Sequence, residues 1–564
     1  MMPAGWSHHL PILPIVIPLA AGAAMLMLKE SNRQARVTLA LASTLAQITV
    51  AVALLCMTAG AIPGFGPHDI GAYLLGDWPA PFGIVVVADR LAAVLLTLNA
   101  AMGLCVLVYA CARWDRAGVH FHPLFQFLLM GLNGAFLTGD LFNLFVFFEI
   151  LLAASYGLML HGSGAARVGS GLHYIAVNLV ASLLLLIGIA LIYGVTGTLN
   201  MADLAARAGG LANTDRRFFE AGAAILGMGF LIKAAAWPLN FWLPGAYASA
   251  SAPVAAVFAI MTKVGVYALL RMGSLLLPTQ APAAFRGTWM FSIGLATMVF
   301  GTLGLLTARR IPRLAAYSVI ISTGTLLAAL GMPGITLTGP ALFYLISSVL
   351  AVAALFLLAE MVERTQPFGA GLLTVTQEAF HPDEDETLDQ NPDDSGIAIP
   401  SAMVFLGLSF AACALLITGL PPLSGFVAKF ALMSTLLNMP GTTAPSLEAW
   451  LLFTAILVSG MAGVIALGRA GIQTFWSTED IIVPHLRLGE AAPVAVLVAG
   501  CIVLTLRADP VLIYLKATAA SLDHPAYYIE AVLSQRPVVR PPDAGSGAGA
   551  GAESGAGAES GAHP

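Results

Sequence analysis

Charge is what this sequence has least of. Only 10% of its 564 residues are Asp, Glu, Lys or Arg, and just five of them are lysine. Ordinary soluble domains carry about 25% charged residues, and a chain this long with so few would expose large apolar patches and aggregate. A soluble globular protein is thereby excluded. The 25 basic residues are outnumbered by 30 acidic ones, for a net charge of −5, so there is no basic face for nucleic acid. The five cysteines (Cys56, Cys105, Cys111, Cys413, Cys501) are scattered through apolar runs without a CxxC, which excludes a disulfide framework or a zinc ribbon. They read as small packing residues, and no metal ligand or cofactor-binding residue is assigned. No dinucleotide fingerprint, phosphate loop, HExxH or nucleophile elbow stands in a suitable setting, so soluble-type catalysis has no support. What the chain has in abundance is hydrophobic residues, 58% of the total. It reads as an integral membrane protein.

Apolar runs near 10–28, 37–59, 91–112, 121–139, 141–160, 172–194, 220–238, 253–271, 287–308, 315–331, 340–360, 402–435, 449–470 and 492–508 are spaced along most of the chain. Crossing a hydrocarbon core of ~30 Å takes about 20 such residues. The expectation is an all-α polytopic membrane protein of about fourteen transmembrane helices, with 402–435 as one long, interrupted span. The first basic residue, Lys29, follows the first apolar run, so that run is read as a span and not a cleavable signal. With the amino terminus outside, alternation puts twelve Lys and Arg in inside loops and six in outside loops, the bias the positive-inside rule requires.

Three stretches read as lying outside the membrane. Residues 61–90 hold Pro, Gly and Asp and alternate like a short extramembrane hairpin. Residues 361–400 carry the acidic run HPDEDETLDQNPDD and form a solvated loop, and the Gly/Ala/Ser/Glu tail 541–564 reads as disordered. The expected organisation is then helices 1–3 with the hairpin in 1–112, a five-helix unit in 121–271, a second in 287–470 containing the acidic loop, and a last helix with a C-terminal segment in 492–540.

A few charges stand where charge is expensive. Lys233, Lys263 and Lys429 lie in or against apolar spans, and Glu149 is flanked by FNLFVFF and ILLAASYG. A lysine at mid-membrane costs about 2.5–3.5 kcal/mol on insertion scales, and intramembrane ionisable groups mark ion or proton pathways. Glu149, Lys233, Lys263 and Lys429 are therefore candidates for proton transfer. Arg271, Glu220 and Glu360, at span ends, read instead as structural pairs or snorkelling side chains. His173 opens the sixth span; it reads first as an interfacial hydrogen-bonding residue and second as a proton relay. Asp140, nine residues before Glu149, reads as a turn residue.

Two of the lysines also lie beside helix-breaking residues. Lys233 precedes Pro238 and Pro244 in LIKAAAWPLNFWLPG, and Lys429 follows Gly419, Pro421 and Pro422 in ITGLPPLSGFVAKF. Proline removes a backbone donor and clashes with the preceding turn, and freed carbonyls at membrane depth are tolerated only inside protein or around water. Paired interruptions in corresponding segments point to the ion path of a transporter. If the seventh and twelfth spans correspond, the repeat is five helices, 4–8 and 9–13, and the odd count inverts one unit relative to the other.

At these residues the chain resembles the antiporter-like membrane subunits shared by proton-pumping NADH:quinone oxidoreductases and multisubunit Mrp-type cation/proton antiporters. The stretches that carry the likeness are FNLFVFFEILLAASYGLMLHG, GVTGTLNMADLA, KAAAWPLNFWLPGAYASASAPVAAVFAIMTKVGVYAL, RRIPRLAAYSVIISTGTL and TGLPPLSGFVAKF. The resemblance matches Glu149 and Lys233 to the family's glutamate–lysine pair, Lys263 to its central lysine and Lys429 to its terminal channel residue. DLFNLFVFFEILLAASYGL and the late DHPAYYIEAVL are of the D-subunit kind within the Mrp-type branch. Two departures matter. Oxidoreductase subunits usually carry a histidine and a lysine in helix 11, where this chain has ISSVLAVAALF, and WLPGAY holds Gly245 where relatives commonly have an acid.

The resemblance implies a multi-pass subunit of the bacterial plasma (inner) membrane that moves protons along the Glu–Lys–Lys–Lys chain. It also implies a coupled monovalent cation, Na+ or K+, and partner subunits of an Mrp-type antiporter complex, including the larger homologous A subunit. Two other readings stay open: a proton-pumping subunit of a redox complex, and a scaffold subunit that transports nothing.

Overall fold

The computed structural model describes residues 7–162, 164–276, 285, 287–364, 401–438, 445–476 and 486–537. The acidic loop from 365 onward, Arg286 and the 541–564 tail lie outside them. The helices follow the apolar runs. They are α1 (Leu13–Met27, entered through a 3-10 turn, Ser7–Ile12), α2 (Arg33–Thr58), α3 (Arg90–Ala112), α4 (Phe121–Leu137), α5 (Leu141–Met159), α6 (Ala165–Thr196) and α7 (Met201–Ala208). Next come α8 (Asn213–Lys233), α9 (Trp242–Ser249), α10 (Ala252–Leu275), α11 (Thr288–Thr307), α12 (Ile311–Leu330) and α13 (Thr338–Glu363). The chain closes with α14 (Ser401–Thr418), α15 (Ser424–Leu437), α16 (Leu447–Phe475), α17 (Leu488–Leu506), α18 (Ala508–Asp523) and α19 (Pro525–Leu533).

Among the described residues twelve helices are long and apolar enough to span a bilayer, and α4 and α15 are shorter apolar helices. The chain is an all-α, multi-pass membrane protein. Burial separates two populations of span. The apolar stretches of α10, α12 and α13 are 94%, 89% and 89% buried, whereas those of α2, α6, α11, α14 and α16 are 39% buried. The first three form the axis of the bundle, and the other five named turn much of their apolar surface outward, where lipid covers it. Several helix starts are capped by polar side chains, which satisfies donors that the first turn leaves free. Asn32 caps α2, Asp89 caps α3, Asp140 caps α5 and Ser446 caps α16. The turn expected at Asp140 is this cap, its carboxylate accepting from the Asn143 N–H at 2.8 Å.

Between α2 and α3, strands β1 (Gly71–Leu74) and β2 (Val85–Ala88) pair antiparallel with Gly71 opposite Ala88. This hairpin falls within the 61–90 stretch. It sits against the α4–α5 link, where the Gly139 N–H donates to the Val85 carbonyl at 2.9 Å.

The span-end charges are paired. The Arg271 guanidinium forks onto Asp89 at 2.6 and 2.9 Å, both side chains buried, and Tyr528 of α19 lies over it. At the opposite end of the bundle Glu360 pairs with Arg364 and accepts from Trp114 Nε1 at 2.7 Å, while Arg364 also reaches Glu490 at 2.7 Å. Glu220 pairs with Arg216 on an exposed turn of α8. At the α3–α4 link burial works against the charge of Asp115, but His122 and Arg33 beside it hold its carboxyl below the ordinary carboxylate range.

The structure gives the two interrupted spans and the C-terminal segment their detailed form, and it departs from the sequence expectations at Pro244. The 402–435 stretch is two helices, α14 and α15, separated by residues 419–423. The seventh span is α8, an irregular segment at 234–241, and the short helix α9. Pro238 lies in that segment, but Pro244 does not break a helix. It is the third residue of α9, where a missing N–H is not needed and the fixed φ suits the first turn. The segment after 508 folds into α18 and α19, which pack on α13 and α7 respectively.

Candidate functional site

The four charges singled out by the sequence all lie in the apolar zone. Lys233, Lys263 and Lys429 are 5%, 2% and 6% exposed, and Glu149 is half-buried on α5. Lys233 closes α8, and its ammonium donates to the Ser182 hydroxyl at 3.2 Å and the Asn178 carbonyl at 3.3 Å, both on α6. The Phe148 ring, from the residue before Glu149, stands 5.7 Å from the same nitrogen. Glu149 is near enough to act on Lys233 through its charge, yet Oε1 of Glu149 is buried without a hydrogen-bond partner among the described residues. The two groups are neighbours that do not touch.

Lys263 lies midway along α10 at the axis of the bundle. Its amine donates to Thr323 Oγ1 at 3.0 Å and to the Val319 carbonyl at 3.5 Å, both on α12. Lys429, on α15, reaches back across the 419–423 break to the carbonyls of Thr418 at 2.8 Å and Ile417 at 3.2 Å. The hydrogen bonds of all three amines end on neutral oxygens. Each amine has two neutral oxygen acceptors, and none has a carboxylate within ion-pair distance among the described residues.

Between Lys263 and Lys429 runs a set of hydroxyls that sequence reasoning did not single out. Next to Thr323, Ser322 donates to Ser348 at 2.9 Å, and Ser347 meets Ser424 of α15 at 2.8 Å. Ser318, Ser322, Tyr344, Ser347 and Ser348 line one small cavity with Lys429; its volume, about 20 Å³, is the room one water takes. Ser347 and Ser348 belong to ISSVLAVAALF, where the sequence had shown only the lack of an ionisable group.

The break at 234–241 is anchored from α11, where the Trp237 N–H donates to Thr297 Oγ1 at 2.9 Å. Around it the buried polar atoms Asn240 Nδ2, Trp242 Nε1, Ser251 Oγ and Thr262 Oγ1 have no protein partner among the described residues, the pattern of a segment that water solvates. Beyond α9 opens a cavity of about 490 Å³ lined by Arg167, Ser170, Ser249, Ser251, Arg313 and Glu360. Ala255 of α10 is on its wall, eight residues before Lys263, which is about 12 Å along a helix.

His173 is not brought into this set. It is exposed on the outer side of α6, its Nδ1 on the carbonyl of Gly169 one turn earlier. Pro421 and Pro422 lie in the second break and Pro238 in the first.

A family model described as NADH:quinone oxidoreductase/Mrp antiporter, TM, matches residues 138–453. The chain is 51% identical over 537 residues to the D subunit of a probable K(+)/H(+) antiporter of Rhizobium meliloti, covering 94% of this chain and 98% of that protein. It is 33% identical over 541 residues to the D subunit of the Na(+)/H(+) antiporter of Alkalihalophilus pseudofirmus, covering 94% and 100%. Among solved structures it superposes on a chain of the Mrp complex from Dietzia sp. DQ12-45-1b with a TM-score of 0.76 and 26% identity, covering 94% and 100%. A chain of respiratory complex I from Thermus thermophilus shares the fold, with a TM-score of 0.69, 20% identity and coverage of 92% and 99%.

Fold and site thus define an antiporter-like membrane subunit, and the chain belongs to the NADH:quinone oxidoreductase/Mrp antiporter transmembrane family, in its Mrp-type D-subunit branch. Its relatives there are secondary-transport subunits and not enzymes.

Proposed function

We propose that this chain is the proton-translocating subunit of a multisubunit monovalent cation/proton antiporter of the bacterial plasma membrane. It works beside other Mrp-type subunits, among them the larger homologous A subunit. Relatives named for K(+) and for Na(+) both match, and the 51% identical one bears the K(+) name, so K+ is the first cation to test. The hydroxyls at Ser347 and Ser348, in place of the helix 11 histidine and lysine of redox pumps, favour the antiporter reading.

In this reading α8–α9 and α14–α15 are the broken helices of two inverted five-helix units within a fourteen-span bundle. Protons move along Glu149, Lys233, Lys263 and Lys429. One observation carries the proposal: three buried amines face only neutral oxygens, and the α12 hydroxyls stand between the second and third of them. The hold of Glu149 on the Lys233 ammonium depends on their separation and on the local dielectric. A neighbouring protein or a file of water that changes the separation changes that hold, and the proton goes on to Lys263 and Lys429. The partnerless polar atoms around 234–251 and the wide cavity beyond α9 support water access from one side.

The test is cation-dependent dissipation of a pH gradient in inverted vesicles containing the whole complex, wild type against Lys233→Ala, with assembly checked by blot. Lost exchange in an intact assembly supports a working proton carrier. Retained exchange overturns it and makes the buried lysines structural.

A further inference from the structure

A second cluster of reactive side chains stands apart from the lysine path, at the link between α3 and α4. Cys111 is in the last turn of α3, Asp115 in the 3-10 turn Trp114–Arg116, and His122 in the first turn of α4. One sulfur, carboxylate-oxygen or imidazole-nitrogen atom from each lies within 4.8 Å of the other two. The chain reverses direction here, so residues eleven apart in sequence converge.

The polar atoms of this cluster are incompletely used. Asp115 Oδ2 accepts from Arg33 Nε at 2.7 Å and lies 3.5 Å from His122 Nε2. The second oxygen, Oδ1, has no partner among the described residues, and neither does His122 Nδ1, although the side chains are 0% and 4% exposed. Leaving such groups unpartnered in the interior is unfavourable, because the water they lose is not replaced. Cys111 is half-buried and closes the cluster on its third side. Its neighbours separate it from Cys105, Cys413 and Cys501, which lie buried outside any such group among the described residues. His161, the other imidazole nearby, faces the Trp114 carbonyl at 2.8 Å.

We propose that Cys111, Asp115 and His122 bind a divalent transition metal ion, zinc being the best match to the donor set. Thiolate, carboxylate and imidazole together are a zinc-type set, and three protein ligands leave a fourth position for water. A divalent ion between a thiolate and a carboxylate leaves those three neutral in sum. Arg33 keeps its hold on Asp115 from outside the ligand shell, as the supporting partner of a ligating carboxylate does. Because the ligands come from α3, the turn and α4, and Arg33 comes from α2, the ion ties together three helices of the N-terminal part of the bundle. The site is independent of the proton path.

The probe is Co2+ added to the complex purified in detergent after chelation. The expected result is a thiolate-to-Co2+ charge-transfer band in the wild type that is retained in Cys56→Ser, lost in Cys111→Ser and lost or shifted in His122→Gln. Bound zinc measured by mass spectrometry on untreated complex should fall by one equivalent per chain in Cys111→Ser. A band that survives both cluster substitutions, or a wild type that shows no band, overturns the proposal and leaves an Arg–Asp–His structural network. Cys111→Ser is nearly isosteric, so its result stands even if His122→Gln does not assemble.

Discussion

The two broken helices each put a lysine beside the interruption, but they hold it in different ways. In the first, Lys233 precedes the break, and the backbone closes the end of α8 by itself. The N–H groups of Ala234, Ala235 and Ala236 bond the carbonyls of Phe230, Ile232 and Leu231. Those bonds use carbonyls of the last turn, and Lys233 bonds instead to Ser182 and Asn178 on a separate helix. In the second, the N–H groups of Gly419 and Leu420 both go to Leu415. The carbonyls of Ile417 and Thr418 stay open at the negative end of α14, and Lys429 takes them. The amine at the first break can be repositioned by moving one helix against another. The amine at the second is clamped by the break itself. That contrast suits a switching role for Lys233 next to Glu149 and a fixed, channel-end role for Lys429.

The sharpest way to break this contrast is at Gly419. Its φ is +78°, and a Cβ there would come within 2.5 Å of the Lys429 side chain. Gly419→Ala therefore combines a left-handed backbone penalty of about 1–2 kcal/mol with displacement of the clamped lysine. Exchange should fall more than tenfold in vesicles while the assembled complex is still detected by blot. Exchange within twofold of wild type would show that the clamp does not matter.

A middle-sized effect is expected at Thr323→Val, which keeps the shape of the side chain and removes the closer acceptor of Lys263. A hydrogen bond to a charged group is worth about 1.5–3 kcal/mol, enough to slow exchange roughly tenfold. Thr323→Ser, which restores the hydroxyl, should recover most of the rate. Equal rates for valine and serine would exclude Thr323 from the path.

Thr323 also shows where reading a sequence stops. Lys233, Lys263 and Lys429 are legible because lysine is rare in this chain and costly in an apolar run, and the breaks are legible because Gly and Pro crowd beside them. A hydroxyl carries no such mark. Ser and Thr in membrane helices commonly bond the carbonyl one turn back, as Ser318 does to Leu314 and Thr325 to Ile321. Only packing reveals that Thr323, among them, receives a bond from across the bundle. Pro244 errs the other way, since proline in a first turn looks in sequence like proline in a break. The Cys111–Asp115–His122 cluster was hidden because its spacing matches no compact motif and depends on a turn that brings two helix ends together.

The smallest effect tests whether the first break is as tolerant as the comparison implies. Ala235 occupies the position there that Gly419 occupies in the second, with φ at +55°. An alanine in that region carries about 1–2 kcal/mol of strain, which Gly would relieve, while Gly also loses about 0.5–1 kcal/mol through its freer unfolded chain. Ala235→Gly should thus change the thermal midpoint of the purified complex little, upward if at all, and leave the exchange rate within twofold. No lysine rests on the carbonyls at this break, so backbone adjustment need not reach the amine of Lys233. If Ala235→Gly instead abolished exchange in a stable complex, Lys233 would depend on the local geometry of its own break as Lys429 does, and the division between a movable and a clamped lysine would fail.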